Sequence, residues 1–253
     1  MLDLSQVSWT AKELAQITAY RYRLFLKLHA EPAFRVVEHL NIAKREGVRA
    51  FWAHLFPVYQ KNRYGTQEET LTYIMRHTQL VPRQFFRFMQ KIVVASAKQT
   101  GVFGIIDSSV IQPSVEEVEG VVAGEVFKAY DHKYALAEKI GRLIFVNLTS
   151  IFTYDELEDM WRKKGRAFMV KQDPSFEMID FTEMLVRMGI VGAVIDETER
   201  YVVGRFSYHR LTPFNIGGEH VLCLHPLFSQ CFGSKPNRKS KAILPHGAEI
   251  GDA

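Results

Sequence analysis

The sequence lacks most of what would mark an enzyme. It has no Gly-x-x-x-x-Gly-Lys-Ser/Thr loop, no Gly-x-Ser-x-Gly elbow and no His-Glu-x-x-His pair. Gly233-Ser234-Lys235 has neither the spacing nor the preceding strand of a phosphate loop. An independent hydrolase therefore has no supporting constellation. Cysteine is scarce: Cys223 and Cys231 make no disulfide framework and no zinc set, so a reducing cytoplasm is the expected setting. The longest clean apolar run, Met188 to Ile195, is far short of the roughly 20 residues of a membrane helix. No basic-then-apolar leader follows Met1, and no secretory signal is expected.

What is present suits a packed protein. The chain has 253 residues, a length that fits about one to two domains. Its hydrophobic share of 47% can offset the entropy of ordering, which excludes disorder of the whole chain. The net charge of +4 hides an asymmetry. Residues 1–100 carry 15 Lys/Arg against 7 Asp/Glu, residues 101–234 carry 13 against 19, and residues 235–253 carry 4 against 2. A basic front and an acidic back point to different partners for each.

Helices are expected through the first two thirds. Four starts pair Ser or Thr with Glu three residues on: Thr10/Glu13, Thr66/Glu69, Ser114/Glu117 and Thr153/Glu156. In such a box, each side chain satisfies the other residue's orphan amide. The spacing predicts helices over about 11–29 (Leu14, Ile17, Tyr20 or Arg21, Leu24 and Leu28 inward), from Pro32 to Leu40, 48–56, 66–78, 83–99 and 114–137. Lys61 to Gly65 reads as a turn. Then come helices at 140–148, 153–164 and 176–188, with a loop through Gly165–Pro174. Apolar runs follow at 190–195 and 201–208, and a further strand at Val221–Leu224. Three helices and then a hairpin is the order of a winged helix. The expected fold class is mainly α: a helical lid-like bundle, then a winged-helix domain with a small β hairpin. The boundaries read 1–105 for the bundle, 106–135 for a connecting helix, 136–232 for the winged helix and 233–253 for a disordered basic tail.

Few residues suggest chemistry. His220 and His225 flank Cys223, and one buried Cys with two half-exposed His is the expectation. Glu116, Glu117 and Glu119 read as a helix start, where negative charge suits the dipole. No catalytic residue and no metal site is expected. Arg83 follows Pro82 in the first turn of a helix, and its planar fork suits phosphate. On physics alone, an ordinary surface arginine is the better reading there.

The order of motifs resembles the C-terminal half of bacterial P-loop ATPases of the AAA+/STAND kind, relatives of the origin-recognition ATPases. Ser8-Trp9 with Glu13-Leu14 and Tyr20-Arg21 looks like the entry to their helical lid. Phe51-Trp52, Phe56-Pro57 and Asn62-Arg63-Tyr64-Gly65 look like its middle. Tyr73 to Thr78, followed by Leu80-Val81-Pro82-Arg83-Gln84, resembles the approach to the helix carrying sensor 2. Phe181, Leu185, Gly189 to Gly192, Phe206-Ser207-Tyr208 and His225-Pro226-Leu227 resemble the attached winged helix. The resemblance implies that Arg83 is a sensor-2-like residue facing nucleotide phosphates. The family's phosphate loop, Mg²⁺ carboxylate and sheet precede the lid, and this chain begins where the lid begins. It implies a noncatalytic regulatory and interaction module, with ATP and Mg²⁺ only where an ATPase core supplies their site.

The implied partners are that core, in the same gene or a separate chain, or another protein through the winged helix. The alternative is a nucleic-acid-binding winged-helix protein. Charge weighs against it, because Glu177, Asp180 and Glu183 on the reading helix and Asp196, Glu197 and Glu199 at the hairpin tip would repel a duplex. Nonspecific nucleic-acid contacts would instead use Lys44, Arg45 and Arg49 in the lid and Lys235, Arg238, Lys239 and Lys241 in the tail.

Overall fold

A computed structural model of the chain describes residues 9–209, 216–237 and 239–247. These are mainly α-helical, with one two-stranded and one five-stranded sheet. They divide into two compact units, one up to Val118 and the other from Glu119 to Gly247.

In the first unit, α1 (Ala11–His29), α2 (Glu31–Val37), α3 (Arg45–Leu55), α4 (Thr70–Met75) and α5 (Pro82–Thr100) surround an aromatic core. Thr10 and Glu13 cap α1 reciprocally, as expected. Leu14 and Leu26 of α1, Phe51 of α3, and Phe85 and Phe88 of α5 are fully buried. Tyr22 stacks on Trp52, whose indole N–H donates to the Ala15 carbonyl at 3.2 Å. The inward face of α1 is Leu14, Ala15, Thr18, Ala19, Tyr22 and Leu26. It is rotated from the expected one, and Tyr20, Leu24 and Leu28 point to solvent. The aromatic packing of Tyr22 decides the rotation, since its ring buries more area than an aliphatic alternative.

Residues 66–69 differ from expectation. They form no helix start but the second strand of a hairpin, β1 (Tyr59–Lys61) against β2 (Gln67–Glu69). The Asn62 side-chain oxygen accepts from the Tyr64 and Thr66 amides, and Gly65 takes φ 81. That turn holds Thr66 in the hairpin, so the cap falls to Glu69, which accepts from the Thr72 amide at 2.6 Å. The Ser114/Glu117 box is likewise not the helix start. A 3-10 turn at Ser108–Val110, capped by Asp107, leads directly into α6 (Ile111–Tyr134), with Pro113 in its first turn. Glu116, Glu117 and Glu119 therefore lie in its second and third turns, where Glu117 pairs with Lys91 and Glu119 is buried.

In the second unit, α6 is followed by α7 (Ala137–Phe145), β3 (Ile151–Thr153) and α8 (Tyr154–Met160), which opens with the expected Thr153/Glu156 box. The expected loop through Gly165–Pro174 begins later than predicted, because residues 165–169 are helical and only 170–174 are irregular. A π-helical turn at Trp161–Gly165 passes into α9 (Arg166–Met169). Glycine is needed in this turn because a Cβ at position 165 would sit 2.5 Å from the Trp161 ring. Then come α10 (Met178–Arg187), ended by Gly189 at φ 63, β4 (Val191–Glu197), β5 (Tyr201–Arg205), β6 (Val221–Leu224) and α11 (Pro226–Phe232). Phe145 and Phe228 stack on Phe232, and Trp161 stacks on Phe181.

The tail is a correction. Ala242–Leu244 forms β7, pairs parallel with β5 and is buried on all three residues. Three apolar residues in succession supply a strand that the surrounding basic composition conceals. The sheet order is β3–β6–β4–β5–β7, antiparallel except at β5–β7.

Candidate functional site

The segment that carries Arg83 is built around a buried ion pair. Arg76 closes α4, and its guanidinium meets Glu68 of β2 through two atoms, Nε to Oε2 at 2.9 Å and Nη2 to Oε1 at 3.1 Å. Asn62 donates to the same carboxylate at 2.6 Å, and the Arg76 guanidinium lies over the Tyr73 ring. Both charged side chains are under 10% exposed, so the pair ties the hairpin to the helix in a low-dielectric setting. His77 is fully buried beside it, edge-on to Tyr73. Burial holds its pKa well below the usual imidazole value, the Arg76 and Arg63 charges push the same way, and Glu68 opposes them.

The chain then makes a strained bend. Leu80 has φ 55, in the left-handed region that costs an ordinary side chain about 1–2 kcal/mol. Two side chains hold the bend: the Gln79 amide donates to Gln84 Oε1 at 2.8 Å, and Thr78 Oγ1 accepts from the Leu80 amide at 3.4 Å. Val81 caps α5 in extended conformation and Pro82 takes its first position. Arg83 is thereby fixed on the second residue of α5 and exposed, with Arg87 one turn on. The arrangement presents the Arg83 guanidinium at a helix start, where positive partial charge already gathers.

The other predicted contacts divide. Lys44, Arg45 and Arg49 lie at the start of α3, exposed, with no ion pair to another described residue. Lys235 and Lys239 are exposed, and Arg238 lies outside the described residues. Lys241 is different. It is buried, its ammonium pairs with Glu197 at 2.6 Å, and it also donates to the Thr198 carbonyl. It locks the β4–β5 turn and is spent on the fold.

The acidic face is weaker than its composition. Glu183 of α10 is shared by Arg187 at 2.6 Å and Lys133 at 3.5 Å, Asp180 accepts from the Glu177 amide, and Glu197 is held by Lys241. Phe181, Thr182, Met184, Leu185 and Val186 are buried, which leaves α10 a narrow outer face of Ile179, Asp180, Glu183 and Arg187.

His225 also corrects an expectation: it is fully buried, not half-exposed. Its Nδ1 accepts from the Leu227 amide as the cap of α11, so a neutral ring carries its proton on Nε2 and donates to Tyr208 Oη at 2.8 Å. Cys223, buried alongside, has its thiol pushed up to about 12 by desolvation and is inert. Among the described residues, no cluster of His, Cys, Asp and Glu could hold a metal, and no helix is long and apolar enough to cross a membrane.

Composition and spacing did not single out the exposed tyrosines of the β1–β2 hairpin. The alternation Tyr59-Gln60-Lys61 before Asn62 to Gly65 carried that signal. Comparison with family models, curated proteins and solved structures gave no match.

Proposed function

We propose that the chain is a noncatalytic regulatory and interaction module of a P-loop ATPase, coupling nucleotide state to a partner through a winged helix. The observation that carries the reading is the placement of Arg83. A strained, hydrogen-bonded bend delivers it, behind Pro82, to an exposed position in the first turn of α5. A guanidinium so placed suits phosphate oxygens held by another chain or domain. The second unit supports the rest. We read the succession of α7, β3, the helices α8 to α10 and the β4–β5 hairpin as a winged-helix arrangement. The narrow outer face of α10 favours contact with protein over a duplex, and the cytoplasm is the fitting compartment.

The test has two arms. Purified chain is assayed for phosphate release, with background rates expected, because no phosphate loop is present in the sequence. Tagged wild type and Arg83→Ala are then recovered from source cells with ATP or ADP present. The wild type should retain a P-loop polypeptide in a nucleotide-dependent way, and the variant should lose that dependence. Hydrolysis by the chain alone, or equal retention by both proteins in both nucleotides, would overturn the reading.

The alternative, nucleic-acid binding, is favoured by one observation: Lys44, Arg45 and Arg49 are exposed together with no carboxylate partner among the described residues. It predicts sequence-independent, salt-sensitive binding through α3.

A further inference from the structure

Exposed apolar side chains gather at one place in the first unit. The outward ridge of α1 carries Tyr20, Leu24 and Leu28, each one turn after the last, so they stack along one side of the helix. Leu24 is 59% exposed and Leu28 68%. The loop after α5 adds Val102 at 65%, Ile105 at 69% and the less exposed Phe103. The Phe103 ring meets the Phe25 ring edge-on at 5.1 Å, and Phe25 neighbours Leu28 on α1, so loop and ridge adjoin. Single exposed apolar residues are ordinary on a surface, but an adjoining group of them marks a contact site.

The loop is held to the core. Tyr22 Oη donates to the Gly104 carbonyl at 3.0 Å, Ser96 Oγ to the Ile105 carbonyl at 3.4 Å, and the Ile106 amide to the Leu55 carbonyl at 2.7 Å. Gly104 approaches α2 so closely that a Cβ there would lie 2.7 Å from Ala33 Cβ. The backbone is thus fixed while Val102 and Ile105 stand in water. The surroundings are net basic. Residues 20–36 carry Arg21, Arg23, Lys27 and Arg35 against Glu31, and residues 98–107 carry Lys98 against Asp107. Glu31 is paired with Arg35, and Asp107 accepts from the Ser109 amide and hydroxyl. Arg21 lies over the Phe86 ring. Lys27 borders the ridge one turn from Leu24, and Lys98 precedes the loop in the last turn of α5. Both lysines are exposed, with no ion pair to another described residue.

From this geometry we infer that the α1 ridge and the loop at residues 101–106 form a docking surface for an anionic lipid bilayer, with Leu24, Leu28, Val102 and Ile105 entering its interface and Lys27 and Lys98 against phosphatidylserine headgroups. The composition selects this occupant. Protein interfaces are enriched in aromatic residues, Met and Arg and depleted in Lys. Here the most exposed members are aliphatic, the rings are less exposed, and the cations with no ion pair are lysines. A lysine beside aliphatic groups lays its stem along them and lifts its ammonium to the headgroups. Aliphatic side chains that stand clear of their neighbours suit a fluid acyl layer, which needs no matching pocket. A second copy of the chain would set the same cations against one another. Nucleic acid could use the lysines but not the aliphatic side chains. The inference does not rest on the ATPase reading and survives its failure.

The test is co-sedimentation of the full chain with vesicles of phosphatidylcholine alone and of phosphatidylcholine with phosphatidylserine, at two salt concentrations. The anionic vesicles should bind more tightly, and less so in high salt. Leu28→Ser and Ile105→Ser should each weaken that binding about tenfold, because most of an aliphatic side chain leaves water on docking. Ile105→Leu should retain it. Lys27→Gln and Lys98→Gln should each weaken it about fivefold, and only where phosphatidylserine is present. Peptide-resolved hydrogen exchange over residues 11–100 checks that the first unit stays folded in each variant. No binding to either vesicle, equal binding to both, or wild-type affinity in the serine variants would overturn the inference. So would a dimer in sedimentation velocity that the serine variants disperse, because the surface would then belong to a second copy.

Discussion

Removing Arg76 should cost the first unit far more than a surface arginine would. The Arg76→Leu variant leaves the Glu68 carboxylate without its guanidinium at a site where both partners are almost out of water. Breaking a buried pair from one side costs about 3–5 kcal/mol, because the orphaned charge stays buried. Asn62 still donates to Glu68 at 2.6 Å, so the lower end, about 3 kcal/mol, is expected. The decisive experiment adds Glu68→Gln to this variant. Glutamine keeps an oxygen for Asn62 and removes the stranded charge, so the double variant should recover at least about 1 kcal/mol. In wild type the same Glu68→Gln change should destabilise, since it strands the Arg76 guanidinium. The sign of one substitution thus reverses with its background. Because the chain has two units, a single melting curve would mix them. Urea titration read by peptide-resolved hydrogen exchange over residues 59–77 isolates the first unit. Destabilisation by Glu68→Gln in both backgrounds would refute the view that charge, and not shape, governs this site.

The remaining expectations concern packing and pH. His77 is held neutral in the fold, whereas an unfolded histidine protonates near 6.5, so the folded pKa is the lower one. Its contribution is complete above pH 6.5 and falls as acid protonates the unfolded chain, by about 1 kcal/mol between pH 6.5 and 5.5. His77→Phe should remove that part of the pH slope in urea titrations, and an unchanged slope would exclude His77 as its source. Gly165→Ala would place a methyl 2.5 Å from a Trp161 ring that is itself fully buried, and about 1–3 kcal/mol of overpacking should appear as lost hydrogen-exchange protection in peptides over residues 154–187. Lys241→Met strands no acid in the interior, because Glu197 is half exposed, so its cost in a denaturant titration should be modest.

Some local signals read correctly. Thr10/Glu13 and Thr153/Glu156 are reciprocal caps, as their spacing predicts, and Thr153 caps α8 while also ending β3. Thr66/Glu69 has the same spacing, but Asn62 claims the Thr66 amide for a hairpin turn, and a sequence window at the helix start does not contain Asn62. The helix at Arg83 was legible from Pro82, and its strained approach was not, since nothing about Leu80 announces φ 55. The rotation of α1 escaped for a related reason. Apolar spacing at Leu14, Ile17, Leu24 and Leu28 competes with Ala15, Ala19, Tyr22 and Leu26, and only the fit of Tyr22 against Trp52 decides between them.

Charge counting misled most at the tail. Lys235, Arg238, Lys239 and Lys241 read as one basic element, yet Lys241 and Glu197 satisfy each other and Ala242–Leu244 completes the sheet beside β5. The consequence bears on experiment. Removing residues 236–253 looks like a clean way to test whether the tail binds nucleic acid, but it would also withdraw β7 and expose the edge of β5. Burial of Ile243 and Leu244 contributes about 1.5–3 kcal/mol each, so the truncated protein should melt earlier and bind a hydrophobic dye. Any loss of nucleic-acid affinity would then report unfolding. The substitution Lys235→Gln with Lys239→Gln removes two exposed charges and leaves the strand in place. If the tail contributes to binding, this pair should lower the salt slope by about 1.4 for a single strand with no change in melting temperature. An unchanged slope would leave the exposed cations of the first unit as the site of contact.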